Sequence, residues 1–361
     1  MYLPDFIILD ILSRLPIRTL LQSRCVCKTW FNLLLDPYFS SVRLATSPPF
    51  INIVFPSLNG FSLVELQDHV CNYTNQRHRP LWFRKLLPAM SSIFRLNFLG
   101  SCNGLLCFSD HYHNNVNILN PISGEYVALP KPKTEKERDF EGVAYGFGCS
   151  SATGHYKVVI VCKMVEVFSL ASGVWRNLGD SPLAPLSFFP SESEVGVTLN
   201  GAIHWAVNRC QLIFSFNVED EQFGSIPLPP GLESFARLGV LGNCLCVVAT
   251  REHQIDLWSM KHYGVATSWS KDCILNTTIL LEMGITCSPL QPITIWNDGE
   301  ILMSSNVGTL VSYNPKRRNL TRLRVSGIGL GKIAVSFVSS FQSLKDVPLA
   351  ECLRILNVNS N

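Results

Sequence analysis

The first forty residues constrain the fold most strongly, because they carry a helical apolar pattern but are too few to form a domain core. Pro4 and Asp5 are typical of a first helical turn, and Pro16 disfavours helical geometry in the residue before it. A chain of fewer than about 40 residues rarely folds alone, so we expect three short helices that form half of an interface. The apolar residues that recur at helical spacing are Ile7, Ile8, Ile11, Leu12, Leu15, Ile17, Leu20, Leu21, Trp30, Leu33 and Leu34.

This segment resembles a known module, the F-box, a small group of helices that docks on a Skp1-type adaptor protein. The resemblance covers the whole module and lies in Leu3-Pro4, in residues 11–16, in Leu20-Leu21 and in residues 24–30. It implies that the helices bind such an adaptor and, through it, a cullin. A small bundle without a partner is the alternative. The adaptor contacts that the resemblance implies are Leu3, Pro4, Ile8, Ile11, Leu12, Leu15, Pro16, Leu20, Val26 and Trp30.

Composition and charge exclude several classes of protein. With 47% hydrophobic and 16% charged residues over 361 positions, the chain is globular and not disordered. A formal net charge of +3 is too small to indicate nucleic-acid binding. No apolar run reaches the roughly 18 residues that a membrane span needs, and no signal peptide is recognisable. We expect a soluble protein of the cytoplasm or the nucleus, or both, with neither nucleic acid nor membrane as its partner.

The 13 cysteines do not indicate a disulfide framework, because their number is odd and no secretory signal precedes them. Cys244 and Cys246 form a Cys-x-Cys pair that would share one face of a strand. Such a pair is able to approach a metal ion, but free cysteine is more typical as a small buried side chain. We therefore expect no metal site there.

After residue 50 the helical period gives way to short apolar runs separated by Gly, Pro, Asn and Asp, which predicts an all-β domain. The unit recurs at about fifty residues, the spacing of kelch-like propeller blades with four strands each. We expect a β-propeller of about six blades, with seven as the alternative. Residues 334–338 are expected to pair with the first blade and remove an open edge. The repeated turns that precede a strand are Asn103-Gly104, Asn200-Gly201, Gly242-Asn243 and Asp298-Gly299.

The same domain resembles the F-box-associated region of plant F-box proteins. The resemblance lies in residues 100–107, in Asn120-Pro121, and in residues 145–148 and 156–159. The chain departs from strict kelch repeats because it has no Gly-Gly pair, and it has no Trp-Asp dipeptide. The expected organisation is therefore an F-box over 1–42, a propeller over 43–345 and a C-terminal tail over 346–361.

Motifs for catalysis or metal binding are weak. Residues 327–332 are similar to a phosphate-binding loop only superficially, because Ile333 stands where Ser or Thr would hold magnesium. His111 and His113 lie in a polar loop without a second ligand pair nearby, and His204 is alone in the repeated strand. We expect no catalytic residue, no cofactor and no metal ion.

The family resemblance implies a substrate-recognition subunit of a Skp1–cullin–F-box ubiquitin ligase, which is not itself an enzyme. The propeller would capture an unknown protein target through its loops. The basic run 316–318 is either an exposed hairpin turn, a contact for an acidic target or a nuclear signal. The alternative function is a small-molecule or glycan binder, or an enzyme, that uses the central channel. The candidate target-binding residues are Asp110, His111, His113, Lys316, Arg317 and Arg318.

Overall fold

The computed structural model describes residues 3–36, 38–39, 42–43, 50–57, 60–67, 81–82, 96–110, 115–132, 143–182, 194–207, 212–232, 236–250, 254–285, 290–296, 299–305, 309–323 and 334–357. Four α-helices are described over their whole length: α1 (Asp5–Ser13), α2 (Ile17–Ser23), α3 (Lys28–Leu35) and α4 (Thr277–Glu282); residues 38–39 and 42–43 are also helical. The three N-terminal helices that the sequence predicts are therefore confirmed. The other regular structure of the described residues is β-strand, apart from two short 3-10 turns at Ala266–Ser268 and Leu344–Asp346.

Local chemistry explains where the N-terminal helices begin. Pro4 and Pro16 occupy the residues before α1 and α2, both in an extended conformation with φ −59° and −57°. Proline is suited to such starts because its fixed φ continues into a helix and its missing N–H would have no intrahelical partner. At α3, the Cys27 sulfur accepts the Trp30 backbone N–H at 3.5 Å. The apolar residues of this segment therefore lie on three short helices and not on one long helix.

The β-strands are numbered in chain order. Most are four to eight residues long and pair antiparallel with the preceding and the following strand. They are β1 (Phe50–Ser57), β2 (Gly60–Gln67), β3 (Leu81–Trp82), β4 (Leu96–Cys102), β5 (Leu105–Asp110), β6 (Val116–Leu119), β7 (Glu125–Ala128), β8 (Ala144–Cys149), β9 (Tyr156–Val161), β10 (Met164–Ser169), β11 (Val174–Asp180), β12 (Glu194–Val195), β13 (Val197–Leu199), β14 (Ala202–Val207), β15 (Leu212–Asn217), β16 (Phe223–Pro227), β17 (Ala236–Leu241), β18 (Cys244–Thr250), β19 (Gln254–Met260), β20 (Trp269–Asn276), β21 (Gln291–Ile295), β22 (Ile301–Ser304), β23 (Leu310–Asn314), β24 (Asn319–Leu323), β25 (Val335–Phe337) and β26 (Ile355–Asn357).

Five blades consist of four strands that are consecutive among the described residues, and they form a β-propeller. We number them in chain order: blade 1 (β4–β7), blade 2 (β8–β11), blade 3 (β13–β16), blade 4 (β17–β20) and blade 5 (β21–β24). The expectation of six or seven such blades is corrected to five. Among the described residues, the first β segment does not supply a four-stranded blade by itself, because it contributes three strands of its sheet, β1, β2 and β3, and the fourth strand is β25.

An antiparallel sheet, with the order β25-β1-β2-β3, joins the two ends of the β domain, and we call it the mixed sheet because its strands come from both ends. Asn52 faces Phe337 and Val54 faces Val335 in the antiparallel pairing of β1 with β25, which confirms the predicted pairing of residues 334–338. The mixed sheet lies between blade 5 and blade 1: Val64 packs in a cluster with residues of blade 5, and Leu63 packs in a cluster with residues of blade 1.

The C-terminal segment is packed where the sequence predicts a tail. Val347 is buried, and the Ala350 N–H donates to the Leu170 carbonyl of blade 2 at 2.8 Å. Further on, β26 pairs antiparallel with β7, so that it becomes an additional outer strand of blade 1. The described part of the predicted tail therefore connects the mixed sheet to blades 1 and 2.

The N-terminal helices share a core with the propeller. Fully buried residues of α1–α3 belong to one apolar cluster with residues of the mixed sheet, of blade 1 and of the segment after β25. The helices alone could not bury this surface. The members of this shared core are Leu12, Ile17, Leu20, Leu34 and Phe39 from the N-terminal segment, and Leu63, Leu106, Phe108, Leu119, Ile122, Tyr126, Phe337 and Phe341 from the rest of the chain.

Candidate functional site

Exposed apolar side chains mark the face of the N-terminal helices that points away from the shared core. Phe6 is 71% exposed and Val26 is 62% exposed, and Leu3, Ile11 and Phe31 are also exposed. Apolar exposure that gathers on one module is typical of a surface that binds another protein. The helices thus have two apolar faces, of which the propeller covers one.

The residues that the sequence predicts as adaptor contacts divide into three groups. Leu12 and Leu20 are fully buried in the shared core, so a partner has no access to them, and the predicted surface loses both. Their apolar spacing is correct for a helix, but it does not reveal which of two apolar faces a residue occupies. The exposed members are Leu3, Pro4, Ile11 and Val26, and the half-buried members are Ile8, Leu15, Pro16 and Trp30.

Two aromatic residues belong to this exposed face and were missed by the sequence reasoning. Phe6 lies in the first turn of α1, and Phe31 follows Trp30 in α3. The Arg24 guanidinium lies 5.3 Å from the centre of the Phe31 ring, a cation–π contact that holds the ring at the surface. The sequence signal that could have identified these residues is a large aromatic side chain that lies outside the inward apolar stripe of its helix.

One ion pair lies among the exposed residues of α1. Arg14 Nη2 and Asp10 Oδ1 are 2.9 Å apart, and both side chains are solvent-exposed. The hydrogen bond that Arg14 donates to the Asp10 carboxylate raises the pKa of Arg14 above its usual value. Surface pairs of this kind contribute little stability, so the pair belongs to the polar surroundings of the apolar surface.

The candidate target-binding residues fall in two parts of the chain. His111, His113 and the side chain of Asp110, the last residue of β5, lie outside the described residues. Lys316 and its two basic neighbours are exposed in the turn from β23 to β24.

His204 does not supply a free catalytic group. It is fully buried, its Nδ1 lies 3.2 Å from the Val197 carbonyl, and its Nε2 lies 2.7 Å from the Tyr263 hydroxyl. Burial lowers the pKa of His204 to about 4, so the imidazole is neutral near pH 7. Both ring nitrogens are engaged in contacts between strands β13 and β14 and the loop after β19.

The inner strands approach one another closely near the centre of the propeller. β12 pairs parallel with β8, and both β12 and β13 contact β4. Between β12 and β13, the Gly196 N–H donates to the Tyr145 carbonyl at 2.7 Å, and Trp205 Nε1 donates to the same oxygen at 2.9 Å. A Cβ atom at Gly196 would lie 2.4 Å from Ile203. The inner strands are therefore closely packed at this point.

Metal-binding residues do not gather in the part of the chain that the structure describes. No group of three or more His, Cys, Asp or Glu side chains there is placed to hold an ion. Cys246 is fully buried, which raises the pKa of its thiol, whereas Cys244 is half-buried. Among the same residues, no helix has the length and apolar character that crossing a membrane requires.

A helical module with an outward apolar face, packed on a β-propeller, defines a class of protein: F-box proteins with a propeller domain. Family models match both parts, with an F-box-like model over residues 1–41 and a model of the F-box associated beta propeller domain over residues 59–347. The chain belongs to the F-box associated beta propeller domain family.

Relatives of the same class match over most of their length. An F-box protein of Arabidopsis thaliana is 29% identical, and the match covers 90% of this chain and 88% of the relative. An F-box/kelch-repeat protein of the same organism is 26% identical over 84% of this chain and 85% of the relative. F-box protein CPR1, also from Arabidopsis thaliana, is 24% identical over 94% of this chain and 88% of the relative.

The buried His204 predicts a specific loss of stability in acid. Its folded-state pKa of about 4 is below the ordinary value of 6.5, so the unfolded chain binds a proton that the folded chain excludes. The stability from this group is complete above pH 6.5 and is lost as the pH falls toward 4, by about 3 kcal/mol in total. Denaturant unfolding at several pH values measures it.

The matched variants are His204→Gln and, as a control, the exposed His262→Gln. We expect a smaller pH dependence between pH 6.5 and 4 in His204→Gln than in the wild type, and His262→Gln controls for the loss of an exposed histidine. A His204→Gln protein with the full wild-type pH dependence would contradict the assignment of the acid-sensitive group.

Proposed function

We propose that this chain is the target-recognition subunit of a Skp1–cullin–F-box ubiquitin ligase. In this proposal α1–α3 bind a Skp1-type adaptor, the adaptor connects the chain to a cullin, and the propeller captures a protein target for ubiquitin transfer. The observation that carries the proposal is the outward apolar face of helices whose inward face already lies on the propeller. The role places the chain in the cytoplasm or the nucleus.

The proposed adaptor surface combines the accessible predicted residues with the two aromatic residues found in the structure. Each large apolar side chain that becomes buried on binding contributes roughly 1.5–3 kcal/mol, so a few such residues are sufficient for a stable complex. The surface consists of Leu3, Pro4, Phe6, Ile8, Ile11, Leu15, Pro16, Val26, Trp30 and Phe31.

The alternative, a small-molecule or glycan site or an enzyme in the central channel, has less support. His204 is engaged on both ring nitrogens, and β12 and β13 lie against β4. We therefore propose a binding protein whose chemistry is supplied by its partners.

The adaptor surface is tested by placing carboxylates on it. Phe6→Asp together with Ile11→Asp should weaken adaptor binding at least about thirtyfold, since an unpaired carboxylate in an apolar interface costs on the order of 2 kcal/mol or more. Both residues are exposed, so thermal unfolding of the whole chain should be nearly unchanged. Calorimetric titration with purified Skp1-type adaptor measures the affinity.

Leu281→Asp provides the matched control, because Leu281 is an exposed apolar residue on α4, outside the proposed surface. It should bind the adaptor like the wild type. Full affinity in the Phe6 and Ile11 variant would refute the proposed surface.

For the target, we propose contacts at the turns of the blades, where side chains are free of the strand ladders. The described candidate is the turn that carries Lys316, Arg317 and Arg318, all exposed. Its charge suits an acidic segment of a target. The other candidates are Asp110, at the end of β5, and His111 and His113, which follow it in the sequence.

The basic turn is tested by reversing its charge with Lys316→Glu, Arg317→Glu and Arg318→Glu. A glutamate is compatible with the left-handed backbone of Arg318 (φ 52°), because Glu221 adopts φ 60° in the structure. After the target has been identified by capture with ubiquitin transfer blocked, its affinity should fall in this variant while adaptor binding persists. Arg354→Glu, a reversal of an exposed charge on the C-terminal segment, is the control; equal target affinity in both variants would eliminate the turn as a contact.

A further inference from the structure

The backbone of the turn that joins α1 to α2 forms hydrogen bonds with two charged side chains, one near the end of α1 and one at the start of α2. Arg43 Nη1 donates to the carbonyls of Ser13 at 3.0 Å and Leu15 at 2.9 Å, and Glu65 Oε1 accepts the Ile17 N–H at 2.6 Å. The Ser13 carbonyl and the Ile17 N–H are groups that helix ends leave without intrahelical partners, and Leu15 lies between the two helices. A cation at the end of one helix and an anion at the start of the next also match the helix dipoles.

The two charged residues connect this turn to separate parts of the β domain. Glu65 lies in β2 of the mixed sheet. Arg43 is 1% exposed, and its Nε donates to the Ser339 hydroxyl, just after β25, at 3.2 Å. Near these contacts, the rings of Phe39 and Phe341 lie 6.2 Å apart. The α1–α2 turn is therefore attached through Glu65 to β2 and through Arg43 to the segment that follows β25.

Burial makes the charges of this pair sensitive to the loss of a partner. Desolvation lowers the pKa of Arg43 to about 10, so the guanidinium remains charged near pH 7. Desolvation raises the pKa of Glu65, while the Ile17 N–H and the Arg43 charge oppose that shift. Removing one member leaves the other as an uncompensated buried charge, which is costly.

Hydrogen bonds and apolar packing have different roles at this junction. The hydrophobic effect that buries the shared core is a non-directional force, which holds the helices against the propeller. The planar guanidinium of Arg43, by contrast, requires a defined geometry of its acceptors. The polar contacts therefore add a directional constraint on the orientation of the F-box.

We propose that Arg43 and Glu65 form an orientation clamp, which fixes the F-box at one angle on the propeller and so positions a bound adaptor relative to a captured target. The geometric part stands on the contacts above, whereas its consequence for ubiquitin transfer rests on the proposed function. Both are positioning residues, since neither lies on the exposed adaptor surface.

The geometric part is tested by measuring a distance across the junction. Spectroscopic labels are placed at two exposed residues, Asn32 on α3 and Ala152 between β8 and β9, and pulsed electron paramagnetic resonance reports the distribution of their separation. We expect one narrow distribution in the wild type and a broader or shifted one in Arg43→Met. Arg14→Met, which removes an exposed arginine bonded to Asp10, should leave the distribution unchanged.

A second variant separates orientation from folding. Glu65→Gln keeps an acceptor for the Ile17 N–H but removes the charge beside Arg43, so we expect a smaller broadening with the same thermal unfolding of the β domain. An unchanged distribution in both Arg43→Met and Glu65→Gln would overturn the clamp.

The functional part is tested in a reconstituted ligase with the identified target. Arg43→Met should bind the adaptor and the target like the wild type, yet transfer ubiquitin about tenfold or more slowly, because misplacement of reacting groups has effects of that order. Unchanged transfer in a variant with a broadened distance distribution would overturn the positioning role. Failure of the wild type to bind the adaptor would instead overturn the proposed function, and the distance measurement would still decide the clamp.

Discussion

The apolar core that α1–α3 share with the mixed sheet and blade 1 is the contact on which the rest of the structure depends. Leu12, Ile17 and Leu20 are fully buried there, although three helices of this length could not enclose a core of their own. Because the inward face is satisfied by the propeller, the outward face remains available for a partner. Burial of one face and exposure of the other are thus two results of the same packing.

The propeller in turn is completed by chain segments that are far apart in sequence. β25 joins the mixed sheet, and the segment after it contacts the helices before it continues over blade 1 to blade 2. Asn120 of blade 1 donates to the carbonyls of Ser340 and Gln342 at 3.1 and 2.7 Å. One segment therefore connects the F-box, the mixed sheet and two blades, so we expect these parts to unfold together.

Local patterns in the sequence were sufficient for the helices and for the all-β character of the domain, because proline positions and apolar periodicity act over a few residues. The pairing of β25 with β1 was also predictable, since a lone apolar strand needs a partner. The blade count, the docking of β26 on β7 and the inward position of Leu12 were not, because they depend on which surfaces meet in the folded chain. Phe6 was missed for the same reason: its exposure is decided by the face that the propeller leaves open.

Amide hydrogen exchange of α1–α3 tests most directly whether the propeller holds the F-box folded. It should be compared between the full chain and a fragment that ends at residue 43. The account predicts slow exchange in the full chain and exchange close to that of an unfolded peptide in the fragment, because the fragment lacks Leu63, Phe108 and the other propeller residues of the shared core. Equal protection of the helices in both would show that the F-box folds by itself and would contradict the account.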